Sequence, residues 1–336
     1  MQHQAKSDLA DPIHDSFTPP LTSLSRDDSI MPHETSGWGM ERAMPLNLQS
    51  GKNAKSKAYI VALHCSLGSG KQWSKLIDAC GNQYHAIALD ISGYSKNEPW
   101  HDPAPSSLDS EAAYLHQELK ALPGPIHLVG HSFGGAIAFK LATSKRYVRC
   151  VRSLTLIEPV LPSILLEHEP DRPFYESFAR ESERICTPIW LGDKERGLQQ
   201  FLTFWNGHVC WENLSRNRKA AFIERVNKLV GDFSAVLGET GVTEAASRLS
   251  VPTLLFSGAR SPRATQRIAK RLTSIIRGSR HIHLATAGHM LAITHSNDLD
   301  PQILQHIAAA ESRMRLAVPL VAGTTSRDAP PQASGR

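Results

Sequence analysis

Cysteine is scarce and unpatterned in this chain of 336 residues. Cys65, Cys80, Cys150, Cys186 and Cys210 form no C-x-x-C pair. An odd, scattered set argues against a disulfide framework and for reduced thiols in a cytoplasmic protein. Long apolar runs are also missing; none approaches the roughly 18 residues that a membrane-crossing helix needs. The N-terminus carries His3, Asp8, Asp11 and Asp15 where a secretory signal would carry an apolar segment. The formal net charge is +5, but the excess is spread out, with no Lys/Arg block interleaved with aromatics. That pattern does not point to nucleic acid. The histidines are dispersed and no H-x-x-x-H ligand spacing appears with partner carboxylates, so no metal is expected, and no cofactor is expected either. No internal repeat is visible.

What is present suits one large domain with room for an insertion, at 41% hydrophobic and 21% charged residues. Apolar runs at Ala58–His64, His85–Asp90, Ile126–Val129, Arg152–Glu158, Thr253–Ser257 and His281–Ala285 read as strands. Segments with helical spacing lie between them, such as Ser107–Leu122 with Leu108, Ala112, Leu115 and Leu119 on one side. This alternation predicts an α/β fold: a mostly parallel central sheet with helices on both faces. The alternation breaks at 161–249, which is rich in aromatics and has helix-like stretches at Lys194–Trp205 and Arg216–Leu229. It reads as an inserted helical lid between core segments 36–160 and 250–316. Residues 1–35 and 317–336 lack periodicity and are expected to be disordered extensions.

Gly130-His131-Ser132-Phe133-Gly134 is the most informative stretch. A bare G-x-S-x-G arises by chance roughly 0.1 times in a chain of this length and glycine content, so context decides. Here a strand precedes it and a helix-like segment, Ala136–Thr143, follows. That order makes it a nucleophile elbow, in which glycines are needed where side chains would meet neighbouring backbone. Ser132 then needs a base and the base an orienting acid, in the chain order Ser, acid, His. His289 sits in a Gly-containing loop after the last expected strand, at the same carboxyl edge of the sheet as Ser132. His281 and His283 lie within that strand, and His295 lies well into the next segment; all three are weaker candidates.

Together with His64-Cys65-Ser66-Leu67-Gly68 and Asp90-Ile91-Ser92-Gly93-Tyr94-Ser95, these motifs resemble the α/β-hydrolase fold superfamily, in its lid-bearing form, over about residues 40–315. The resemblance implies a serine hydrolase with an oxyanion hole made by the backbone N–H groups of Ser66 and Phe133. Cys65 replaces the usual glycine of the oxyanion loop and reads as a small buried thiol. The larger departure concerns the acid. The usual Gly-x-x-Asp turn reads Gly258-Ala259-Arg260-Ser261 here. Glu158, at the end of its strand, is the substitute expected to orient His289, as in some lid-bearing relatives; Asp232 and Asp298 are fallbacks.

The expected catalytic set is therefore Ser132, His289 and Glu158. The expected reaction is hydrolysis of a small or medium hydrophobic carboxylic ester through an acyl-enzyme. The same triad could serve carbon–carbon bond hydrolysis, lactone opening or perhydrolysis. A reading of another class is a ligand-binding module of this fold with weak or lost catalysis, for which the missing aspartate at Ser261 speaks. The expected partner is a small-molecule substrate.

Overall fold

A computed structural model describes residues 58–94, 106–146, 150–207 and 211–317. The expected extensions at 1–35 and 317–336 lie outside these residues, Ala317 apart.

Six strands form the sheet: β1 (Tyr59–Leu63), β2 (His85–Leu89), β3 (Ile126–His131), β4 (Val151–Ile157), β5 (Thr253–Gly258) and β6 (Arg280–Leu284). Their order is β2-β1-β3-β4-β5-β6, and every pairing is parallel. The central strands are buried on both faces, as a parallel sheet covered by helices requires. In β1 the alternation is visible. Tyr59, Val61 and Leu63 join the core on one face, and Ile60 and Ala62 join the core on the other.

Helices divide between the faces accordingly. Helices α1 (Ser74–Cys80) and α10 (Ser296–Ala317) pack Leu76, Leu299 and Ile303 against Ile60, Val129 and Phe256. Helices α2 (Leu108–Lys120), α3 (Phe133–Thr143) and α8 (Arg263–Ile275) cover the opposite face with Leu115, Ile137 and Ile268. A short 3-10 turn, Gly70–Trp73, precedes α1, and a four-residue helix, α9 (Leu291–Thr294), precedes α10. Proline misleads at α10. Pro301 reads as a helix start, but the helix begins at Ser296 and runs through it.

Between β4 and β5 the chain leaves the sheet and forms α4 (Arg172–Trp190), α5 (Lys194–Asn206), α6 (Arg216–Leu237) and α7 (Val242–Arg248). Helix α6 extends eight residues beyond the stretch read from the sequence, from Leu229 to Leu237. Phe178, Phe201, Trp205 and Phe233 pack edge-on and tilted against one another, continuous with the core that Ile137 and Ile268 form on that face of the sheet.

The strand order locates the site. From β1 the chain steps outward to β2, then returns to the other side of β1 with β3 and continues to β6. The reversal lies between the carboxyl ends of β1 and β3, which is where open α/β sheets bind ligands. The loop 64–69 and Ser132 sit at those two ends.

Candidate active site

Three non-glycine residues among those described have positive φ: Leu67 (59°), Ser132 (57°) and Glu158 (47°). Each follows a strand end at the same edge of the sheet, after β1, β3 and β4 respectively. Such backbone costs about 1–3 kcal/mol per residue and persists only where surroundings hold it. The holding bonds are identifiable. Ser132 N–H donates to Ile157 O at 2.9 Å, and Glu158 N–H donates to Phe256 O at 3.0 Å. The elbow glycines are required by close approach. A Cβ on Gly130 would sit 2.4 Å from Gly134 O, and one on Gly134 would sit 2.3 Å from His64 O. Both contacts are with backbone, so neither position can accept even alanine without moving β1 or β3.

Ser132, His289 and Glu158 come together. Ser132 Oγ lies 2.9 Å from His289 Nε2, and His289 Nδ1 lies 3.0 Å from Glu158 Oε2. The second Glu158 oxygen accepts the Gly258 N–H at 2.7 Å. Glu158 is wholly buried, and a buried carboxylate needs such partners. Its acceptors set the tautomer: His289 Nδ1–H donates to the carboxylate, leaving Nε2 with a lone pair toward Ser132. Trp205 of α5 stacks on the His289 ring at 3.9 Å between centroids.

The other candidates go elsewhere. Asp232 is tied to Ser66, Tyr94 and Lys228, as described below, and Asp298 is exposed in the first turn of α10. His281 and His283 both bond Ser257 Oγ at 2.8 Å. His295 bonds Thr286 and Thr294. The Cys65 thiol is buried, and burial pushes its pKa up to about 12. It is therefore a packed thiol and no thiolate nucleophile. Ser261, at the position expected for an aspartate, is buried, and its hydroxyl has no hydrogen-bond partner among the described residues.

Ser66 and Phe133 flank the serine, and each is supported from behind. Phe133 is the first residue of α3, so its N–H lies at the positive end of that helix. The Ser66 hydroxyl donates to Asp232 Oδ2 at 2.5 Å, and Tyr94 Oη donates to the same oxygen at 2.5 Å. The other Asp232 oxygen meets Lys228, which also binds Glu111 at 2.8 Å. Lys228 is wholly buried, and its ammonium lies 4.8 Å from the Phe133 ring centroid. Burial alone would lower its pKa, but the two carboxylates outweigh that and raise it. Burial raises the Glu111 pKa despite Lys228. Sequence reading missed this cluster for a clear reason. Lys228 and Asp232 are four apart on a helix, a spacing that ordinarily marks a solvated face. Only the packing of α6 onto the sheet edge buries them.

A second support runs through His131. Gln72 accepts the Cys65 N–H at 3.3 Å and donates to His131 Nδ1 at 3.1 Å, and His131 Nε2–H donates to the His289 carbonyl at 2.8 Å. Burial first, then the nearby His289, push the His131 pKa down to about 3, so the ring is neutral and this relay keeps one direction. His64 is likewise neutral. Its Nε2 accepts the Ile91 N–H at 3.0 Å, which requires a lone pair, so its 3.8 Å approach to Asp90 is no ion pair.

A cleft of about 470 Å³ opens on Ser132 and His289, walled by Phe201, Leu202 and Trp205. A pocket of about 20 Å³ lies across Ser132 between Phe133, Val160, Phe233 and Val236. A larger cavity, about 910 Å³, touches His289 from beyond Trp205 but does not reach Ser132. Among the described residues no group of three or more His, Cys, Asp or Glu could hold a metal ion, and no helix is long and apolar enough to cross a membrane.

Known proteins share this arrangement at the level of the fold. The family model described as alpha/beta hydrolase fold matches residues 59–296. The polyketide synthase ThaQ of Burkholderia thailandensis is 25% identical over 247 residues, covering 70% of this chain and 11% of that protein. The chain spans less than half the length of the curated relatives it matches. The structure of MenH from S. aureus superposes with a TM-score of 0.60 at 18% identity, over 77% of this chain and 96% of that one. The carboxylesterase CesB of Bacillus subtilis gives 0.58 at 20% identity, over 76% and 85%. The match over residues 59–296 spans the sheet, the elbow and the His289 loop, and the chain belongs to the alpha/beta hydrolase fold family.

Proposed function

We propose that the protein is a serine hydrolase of carboxylic esters working through an acyl-enzyme. The observation that carries this is the continuous buried line Ser132 Oγ–His289 Nε2 (2.9 Å) and His289 Nδ1–Glu158 Oε2 (3.0 Å). His289 takes the hydroxyl proton as Ser132 Oγ bonds to the ester carbonyl carbon. The carbonyl oxygen becomes an anion facing the backbone N–H groups of Ser66 and Phe133. Two such donors contribute several kcal/mol because they are in place before charge develops. His289 returns the proton to the leaving alcohol as its C–O bond breaks. Water, deprotonated by His289, then releases the acid and restores Ser132. Glu158 holds the imidazole tautomer and faces the positive charge that forms on it. Helices α4–α7 act as the lid, and Trp205 brings their aromatic cluster onto His289.

Ester hydrolysis is preferred to carbon–carbon cleavage, lactone opening or perhydrolysis because it asks nothing beyond these groups. A fluorophosphonate probe and p-nitrophenyl acetate test the reading. Wild type should be labelled and should turn over the ester, and Ser132→Ala should do neither. A folded wild type that takes no label would favour the ligand-binding reading instead.

A further inference from the structure

The cleft beside Ser132 carries charge of one sign. Lys71, Lys75, Arg218 and Arg225 line it, and among the described residues no carboxylate does. Nearby acids are committed elsewhere: Asp232 to Lys228, Ser66 and Tyr94, and Asp90 to the Gly70 N–H. Lys75 lies near one further carboxylate, that of Asp300 on α10. The placement has a local cause. Ser215 caps α6 by accepting the Arg218 N–H, and residues 218, 222, 225, 229 and 232 then recur on one face of that helix. Asp232 anchors the face at the oxyanion loop, so Arg218 and Arg225 fall along the cleft, with Phe222 between them. Lys71 and Lys75, four residues apart, answer from the 3-10 turn and α1.

His289 decides which half of a substrate meets this charge. It lines the cleft but not the small pocket across Ser132. The leaving oxygen must receive its proton from His289, so the leaving group occupies the cleft and the acyl group turns toward Phe133, Val160 and Phe233. We infer that the substrate is an ester of a small, uncharged acyl group with an alcohol bearing a carboxylate or phosphate, held by Arg218 and Arg225. This rests on the serine-hydrolase reading and names its substrate class.

The test separates the two. Ser132→Ala protein is titrated calorimetrically with 4-acetoxybenzoate, its neutral methyl ester and 4-acetoxyphenyl phosphate, with and without Arg218→Gln/Arg225→Gln. The anions should bind about 10-fold more tightly than the methyl ester, and the double substitution or 0.5 M NaCl should reduce that to about 2-fold. The two anions, compared with each other, tell carboxylate from phosphate. Wild-type kcat/KM should follow the same order, with Arg196→Gln, on an exposed part of α5, unchanged. Equal binding of anions and methyl ester, or a preference that survives the double substitution, overturns the proposal. Turnover that persists in Ser132→Ala would instead sink the serine-hydrolase reading, whatever the binding shows.

Discussion

Replacing Glu158 by glutamine changes one buried atom and reverses the hydrogen-bond logic of the site. The wild-type carboxylate accepts twice, from Gly258 N–H at 2.7 Å and from His289 Nδ1 at 3.0 Å. A glutamine has one acceptor and one donor group. Gly258 can only donate, so the amide oxygen stays with it and the amide nitrogen faces His289. Nδ1 must then accept, which moves the ring proton to Nε2 and aims it at Ser132. The base is gone although every heavy atom keeps its place. A wrong tautomer of this kind lowers kcat by about 10³- to 10⁴-fold, or about 4–5.5 kcal/mol of barrier. Stability should move by no more than about 2 kcal/mol, because shape and the Gly258 bond persist. Glu158→Asp keeps the charge but withdraws it by one methylene, and a misplacement of that size should cost about 10²-fold. The assay is steady-state hydrolysis of p-nitrophenyl acetate beside thermal unfolding. A folded Glu158→Gln enzyme with kcat within threefold of wild type would refute the assignment of Glu158.

Other outcomes follow from the same structure. Gly134→Ala should fail to fold or lose several kcal/mol, since its Cβ would meet His64 O at 2.3 Å and Leu63 O at 2.5 Å. Gly81→Ala, at positive φ but with nothing within 4 Å, should cost about 1–3 kcal/mol by chemical denaturation. Lys228→Met strands two buried carboxylates and should destabilise by about 3–5 kcal/mol; adding Glu111→Gln and Asp232→Asn should recover much of that. The histidines make stability fall with acid. His131 titrates at about 3 when folded and near 6.5 when unfolded, so the unfolded chain binds the proton first. Between pH 7 and pH 5 this removes about 2 kcal/mol. His127, pushed to about 4 by burial, adds a loss of the same sign, and Asp300, raised to about 6 by burial, opposes it. Urea midpoints at the two pH values should draw closer in His131→Gln; an unchanged gap would show that His131 does not titrate in this way.

Much of the architecture was legible because it is written in local patterns. Short apolar runs alternating with helical spacing read as a parallel sheet, and all six strands were found where those runs lie. The elbow was legible because its glycines are steric necessities within five residues of Ser132. Helix α4 was not, since Pro188 interrupts the pattern by which a helix is read, yet the helix runs through it to Trp190.

The sequence by itself determined the order of elements, the position of Ser132 at a strand-to-helix turn and the loop that holds His289. What only the tertiary structure decided is which distant groups meet. Glu158, 131 residues from His289, rather than Asp232, comes within 3.0 Å of it, because β4 and β5 pair in a register that delivers Gly258 N–H to the same carboxylate. Lys228 has the spacing to Asp232 of a solvated helix pair and is nevertheless buried, because burial belongs to the packing of α6 on the sheet edge and not to its residues. Side-chain chemistry is local, but desolvation and partnership are set by neighbours that the chain brings together only when folded.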